Sequence, residues 1–259
     1  MDTLYILAPV CTLVAALRHF SGFPLVVGAN RDERYDRPAS PVHVWQAEPF
    51  LAPRDETAGG TWLGLSARGL FVGVTNRFGA AKDPARESRG LLVVESLRAE
   101  SARALHATLA ALSPGRFNAF HLLYADARDA FVTWSDGSAL QQLALGPGVH
   151  VVTERSLGGD DRARTELVLD RVRALDASHG VDVEAIQAIL RIHGGAHPLG
   201  GTCVHVPEMG YGTRSSMVLL VADRPDESRL SWAEGNPCST QYEDRSGLLG
   251  TLVRRSGMP

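Results

Sequence analysis

The sequence predicts an α+β protein, with antiparallel sheets and helices packed outside them. Short β-branched and apolar runs come in groups punctuated by Gly, Pro and Asp/Arg clusters, the pattern of strands joined through turns. Helical periodicity is confined to a few longer stretches between those groups. The resulting order is strands, helix, strands, helices, strands, and not the strict alternation of a doubly wound parallel fold. At 259 residues and 44% apolar content the chain can bury a sizeable core. No low-complexity linker or internal repeat divides it, so residues 1–259 read as one domain.

The first apolar run, Leu4–Leu17, has no basic flank as a signal peptide would, carries Asp2 instead, and is too short to cross a membrane. It reads as a strand or strand pair, with a cytoplasmic address. Pro24–Ala29 follows as a buried strand, ending abruptly at Asn30-Arg31-Asp32-Glu33. Further strands are expected around Val42–Trp45, Thr61–Leu65 and Leu70–Thr75. Arg89–Leu112 has helical periodicity, with Leu92, Val93, Leu97, Leu105 and Leu109 near one face, and Pro114-Gly115 stops it. Strands resume at Ala119–Tyr124, Ala130–Trp134, Leu140–Leu145 and Val149–Thr153. Helices are expected at Asp161–Leu175 and Val183–Ile192, then strands at Thr202–His205, Ser216–Val221 and Arg229–Trp232.

Composition excludes several classes of function. Net charge is −3 and no polybasic stretch is present, so neither nucleic acid nor a membrane surface is an expected partner. No glycine-rich phosphate loop of either standard spacing follows a strand. Lys82 is the only lysine, in a polar loop, which leaves a single candidate for Schiff-base chemistry. Three cysteines, Cys11, Cys203 and Cys238, are too few and scattered for a disulfide framework. Oligomeric state is not readable from the chain.

Cysteine is the side chain with intrinsic nucleophilicity near neutral pH once something supports its thiolate. Cys11 lies on one apolar run, and the next ends in a stretch, Arg31 to Arg37, where six of seven residues are charged. Charges at a strand end sit where loops carry function on a rigid scaffold. Arg214 opens another buried-looking strand after a glycine-rich turn, and Asn76 ends a third, where its amide suits an oxyanion. Gly59-Gly60 permits close backbone approach, and Trp62 suits the wall of a pocket. Arg31 and Glu33, alternating with Asp32, are expected on the face away from the nucleophile as structural ion-pair partners. His193, His197, Cys203 and His205 fall within thirteen residues but match no common finger spacing; they read as loop histidines and a buried cysteine, with no metal. Cys238 reads as a turn cysteine without a partner.

Together these pieces resemble the family named for its Asn-Arg-Asp-Glu signature, which includes the transport and Golgi organisation protein 2 homologues. The match rests on Cys11-Thr12-Leu13-Val14, Gly28-Ala29-Asn30-Arg31-Asp32-Glu33 and Arg37-Pro38. It continues through Gly59-Gly60-Thr61-Trp62-Leu63-Gly64, Val74-Thr75-Asn76-Arg77 and Tyr211-Gly212-Thr213-Arg214. The resemblance implies the N-terminal-nucleophile hydrolase fold, a four-layer αββα sandwich of antiparallel sheets. It also implies a cysteine amidohydrolase acting on a non-peptide amide of a small molecule through an acyl-enzyme. Cys11 would then attack the carbonyl, Asp32 orient the N-terminal amine, Asn76 supply an oxyanion contact and Arg214 polarise the site.

Ten residues precede Cys11, whose nitrogen is an amide until they are gone. Either residues 1–10 are a removable leader, or the start lies elsewhere, or the site is not a hydrolase. Glu154 falls where acylase relatives place an asparagine that binds the substrate or the oxyanion. A carboxylate there would repel a developing oxyanion unless protonated or paired with Arg155 or Arg214, which argues for a different substrate, one carrying a cationic or amine group. No cofactor is implied by the hydrolase reading. The alternative is a non-catalytic carrier of haem or a lipid on the same scaffold, with Cys11 or a histidine ligating haem iron.

Overall fold

The computed structural model describes residues 11–157, 162–194 and 199–256. Strand β1 (Thr12–Phe20) and strand β2 (Phe23–Arg34) form a hairpin closed by Gly22, whose φ of 77° suits a residue without a Cβ. The chain then crosses to a second sheet through β3 (Ala39–Val44), β4 (Phe50–Asp55), β5 (Leu63–Ser66) and β6 (Phe71–Asn76). Helices α1 (Arg89–Leu97) and α2 (Ala102–Leu109) lead into β7 (Phe120–Ala125), β8 (Ala130–Ser135) and β9 (Leu140–Ala144). β10 (Gly148–Thr153) returns to the first sheet, followed by α3 (Arg162–Arg173), α4 (Val183–Leu190) and β11 (His205–Val206). β12 (Tyr211–Val221), β13 (Arg229–Glu234), β14 (Glu243–Asp244) and α5 (Gly247–Ser256) complete the described chain.

Among the described residues the strands form two seven-stranded sheets. One has the order β10-β1-β2-β12-β13-β14, with β11 added on β12; the other runs in sequence order from β3 to β9. All the strand pairings are antiparallel, as the turn-punctuated sequence requires.

Period-two alternation assigns each strand face. On the first sheet Leu13, Ala15, Leu17, Leu25, Val27 and Ala29 point inward and meet Phe71, Leu123 and Trp232 in the core between the sheets. Val14, Ala16 and Val26 point outward onto α3 and α4, joining Val168, Val172, Ile186 and Leu190. The outer face of the second sheet buries Val72, Leu122 and Tyr124 against Leu92, Leu97 and Leu105 of α1 and α2. The result is the expected four-layer αββα sandwich.

Four local features differ from the sequence expectation. The periodicity over Arg89–Leu112 belongs to two helices, because Ser101 caps a new one: its hydroxyl accepts from Ala104 N, and Asp126 accepts from Ala102 N at 2.8 Å. Strand β4 is unanticipated because it contains Pro53. That residue falls in the register shift between β3 and β4 and beyond the last β4–β5 pair, so its missing N–H costs no ladder bond. Helix α5 is also unanticipated; it buries Leu252 against the core between the sheets and ends in Arg254 and Arg255, which suit a helix C-terminus. The strand expected at Thr202–His205 is only His205–Val206, because the chain before it turns. Asp161, expected to open α3, and His197 lie outside the described residues.

Candidate active site

Cys11 sits just before β1, half-buried at one end of the sandwich. Thr12 pairs with Asn30, so the next antiparallel step places Cys11 opposite Arg31. Paired residues share a face. Cys11 and Arg31 therefore both face inward, while Asn30 and Asp32 face the helical layer. Contacts agree: the Arg31 guanidinium lies 4.2 Å from the centre of the Trp62 ring and 3.1 Å from Asp55, whereas the Asn30 amide donates to the Leu190 and Thr202 carbonyls at 2.9 and 2.7 Å.

This reverses the expected faces of the signature. Arg31 and Glu33 lie on the sulfur's side, and the Asp32 side chain lies on the other. The sequence shows that neighbours alternate, but only the strand register says which set faces Cys11.

Cys11 opens onto a cleft of about 410 Å³. Arg31, Glu33, Asp55, Trp62, Asn76 and Arg89 are among its lining residues. Close backbone contact helps shape it. A Cβ on Gly60 would stand 2.4 Å from the Gly90 carbonyl carbon, so the absence of one lets the Trp62 loop lie against the start of α1. Asp55 accepts from Arg31 at 3.1 Å and from Arg37 at 2.7 Å, which fixes both guanidinium groups. Arg89 donates to the Ala119 carbonyl at 2.8 Å and has no carboxylate within ion-pair distance among the described residues. It is one cation in the cleft that sequence reasoning missed, because it reads there as a helix-start residue. Its sign is its position between two strand groups, one residue after the Ser88 cap.

The Cys11 thiol is pushed up to about 12, first by burial and then by the nearby Asp32 charge. Its Sγ lies 3.9 Å from the Asp32 main-chain oxygen, toward which the thiol donates. In this state Cys11 is a neutral thiol.

The Asp32 side chain is fully buried. Its Oδ1 accepts from the Thr213 hydroxyl at 2.5 Å, and Oδ2 has no hydrogen-bond partner among the described residues. Burial raises this carboxyl to about 8, against the lowering effects of the Thr213 hydrogen bond and the Arg164 charge. A buried carboxylate oxygen without a donor is costly, and such an exception calls for an explanation.

Asn76 and Trp62 line the cleft. Arg214 does not. The register of β12 against β2 shifts between Thr213 and Ser215, and the intervening Arg214 turns to donate to the Tyr35 and Arg37 carbonyls at 2.7 and 3.5 Å. It braces the loop after β2. Glu154 is also off the cleft, on the helical side near Asp32. Arg164 of α3 donates to it at 3.3 Å, and Arg155 stands 3.7 Å away. Paired in this way, Glu154 gives no reason to expect a cationic substrate. Arg164 was missed because its register relative to β10 is a tertiary fact.

The family model described as Transport and Golgi organisation 2 matches residues 10–234. The chain belongs to this family. It is 25% identical over 231 residues to the human Transport and Golgi organization protein 2 homolog, covering 78% of this chain and 83% of that one. The mouse homolog is 27% identical over 138 residues, half of each chain. Among solved structures, the Caenorhabditis elegans N-acylethanolamine-hydrolyzing acid amidase ortholog superposes with a TM-score of 0.57 at 14% identity, covering 81% of this chain and 92% of that one. A mutant conjugated bile acid hydrolase from Clostridium perfringens gives 0.55 at 10%, covering 90% and 96%. Penicillin V acylase from Agrobacterium tumefaciens gives 0.54 at 15%, covering 92% and 87%. The chain thus shares the fold of these three proteins. No described helix is long and apolar enough to cross a membrane.

Proposed function

We propose that the protein is a cysteine amidohydrolase that cleaves a non-peptide C–N bond of a small molecule, and that its active form has a free α-amine on Cys11. The observation that supports this best is the pairing of Cys11 at the cleft with a buried Asp32 oxygen that has no donor among the described residues. Breaking the Val10–Cys11 bond creates an α-ammonium on the strand beside Asp32. That cation is suited to supply the absent donor and to offset the carboxylate charge.

The freed amine also changes what the thiol can do. An α-amine titrates at about 8, so near neutral pH its neutral fraction accepts the thiol proton without a histidine, and Asp32 holds the ammonium that forms. The sulfur then attacks the amide carbonyl carbon, and Asn76 is the cleft residue suited to donate to the oxyanion. Collapse breaks the C–N bond, and the α-ammonium returns its proton to the departing amine. Water, deprotonated by the same α-amine, attacks the thioester and releases the acid and the thiol.

The lining supports one substrate class. Arg31 and Arg37 are occupied by Asp55, but Arg89 has no carboxylate partner among the described residues. A small amide carrying an anionic group fits such a cleft better than haem or a lipid tail, because the lining is rich in charge. The test is acyl trapping with p-nitrophenyl esters and p-nitroanilides of short dicarboxylic acids. The expected result is one acyl adduct mapped to Cys11, absent in Cys11→Ala. An adduct that persists in that variant, or none with any such compound, removes Cys11 as the nucleophile.

A further inference from the structure

Away from the cleft, four side chains with soft or borderline donor atoms converge from separate segments. His193 follows α4, Cys203 and His205 lie at the entry to β11, and Cys238 lies in the turn after β13. Their ligand atoms all lie within 4.8 Å of one another. The Cys238 Sγ is 3.2 Å from His205 Nε2, and the His193 and His205 rings meet edge to face with centroids 5.1 Å apart. We propose that these four residues form a tetrahedral Cys2His2 zinc site.

The dimensions suit that ion. Zinc–sulfur bonds of about 2.3 Å and zinc–nitrogen bonds of about 2.0–2.1 Å give tetrahedron edges of roughly 3.3–3.8 Å. Drawing the donors from their present spacing to those edges needs side-chain movements of about 1 Å or less. Two thiolates and two imidazoles in a closed set are the donors of structural zinc, and the mixed softness disfavours calcium or magnesium.

The backbone is also built to bring these residues together. A Cβ on Gly201 would lie 2.3 Å from Gly194 N and 2.4 Å from Ile192 O, so the two passes of the loop touch only because that residue is glycine. The Cys203 N–H donates to the Ile192 carbonyl at 2.9 Å, setting Cys203 beside His193. The Cys238 turn is held by Thr240 and Ser239 N–H groups donating to the Asn236 carbonyl at 2.8 and 3.1 Å. Sequence spacing hid the set, because Cys238 is more than thirty residues from its partners. His197, which the spacing suggested, lies outside the described residues.

The site fastens the segment that supports Asp32. The Asn30 amide donates to the Thr202 carbonyl, and the Thr213 hydroxyl accepts from Val204 N at 2.9 Å while donating to Asp32. A metal at Cys203 and His205 therefore holds the strand-like stretch against which Thr213 and Asp32 are aligned.

Cobalt(II) titration of the reduced full chain tests the proposal. The expected result is one equivalent bound, with a near-ultraviolet thiolate charge-transfer band and intense visible bands of tetrahedral cobalt, both abolished by added zinc(II). Cys238→Ser and His193→Ala, at exposed positions that leave the core intact, should weaken binding at least about tenfold, the cost of losing even an outer-shell partner. Cys11→Ala should bind as the parent does. The absence of tetrahedral bands, or their survival in both Cys203→Ser and Cys238→Ser, overturns the site. So does a Cys203–Cys238 disulfide in the isolated protein that yields no metal-binding chain after reduction.

Discussion

Replacing Asp32 with asparagine separates the cost of the site from its use. In the chain with Cys11 still acylated by Val10, burial raises Asp32 from 3.8 to about 8. Between roughly pH 4 and pH 8 the native chain therefore keeps a proton that the unfolded chain has released, and stability falls as pH rises. At about 1.36 kcal/mol per unit, that loss reaches about 4 kcal/mol at pH 7 as an upper bound, since Arg164 and Glu154 share in it. Asp32→Asn removes the charge but leaves an amide N–H without an acceptor, at about 1–3 kcal/mol. The variant should be less stable than the parent by about 1–3 kcal/mol near pH 4 and more stable by a similar amount near pH 8. Urea unfolding of the unprocessed chain at both pH values reads this as a crossing of the two midpoint curves. Parallel curves would refute the buried, donor-poor carboxyl. In the processed protein the α-ammonium should favour the carboxylate, and the parent's stability should then rise with pH through Asp32's titration.

Two further predictions concern the cleft. Arg89→Ala should raise KM for anionic amides by about 10–100-fold, the worth of one charged hydrogen bond, with neutral amides little affected; an equal loss on both would remove Arg89 from substrate binding. Gly60→Ala forces a Cβ against the Gly90 carbonyl, a backbone neighbour that cannot rotate away. It should cost about 1–3 kcal/mol in thermal unfolding, and an unchanged midpoint would show that the Trp62 loop is not held by this contact.

Much of the fold could be read because strand alternation and turn residues are local signals. Leu25–Ala29 and Ser216–Val221 announce themselves as buried strands, and Val183–Ile192 as a helix. Strand β4 was hidden because Pro53 argues against a strand unless the register that accommodates it is known. Within the site, Cys11, Asn76 and Trp62 could be placed from strand ends and the family signature. The faces of Arg31 and Asp32 could not, because parity depends on which residue stands opposite Cys11. Arg214, expected at a strand start, lies inside β12, where a one-residue bulge points it away from the cleft. Arg164, Arg89 and Cys238 come close to their partners only through tertiary packing, and no local pattern marks such approaches.

In the proposed mechanism, catalysis runs through a freed Cys11 amine. Intact-mass and N-terminal sequence analysis of the species that carries the trapped acyl group tests it most directly. The expected species begins at Cys11, with the acyl group on its side chain. An acylated, turnover-competent chain in which Val10 is still joined to Cys11 would contradict it.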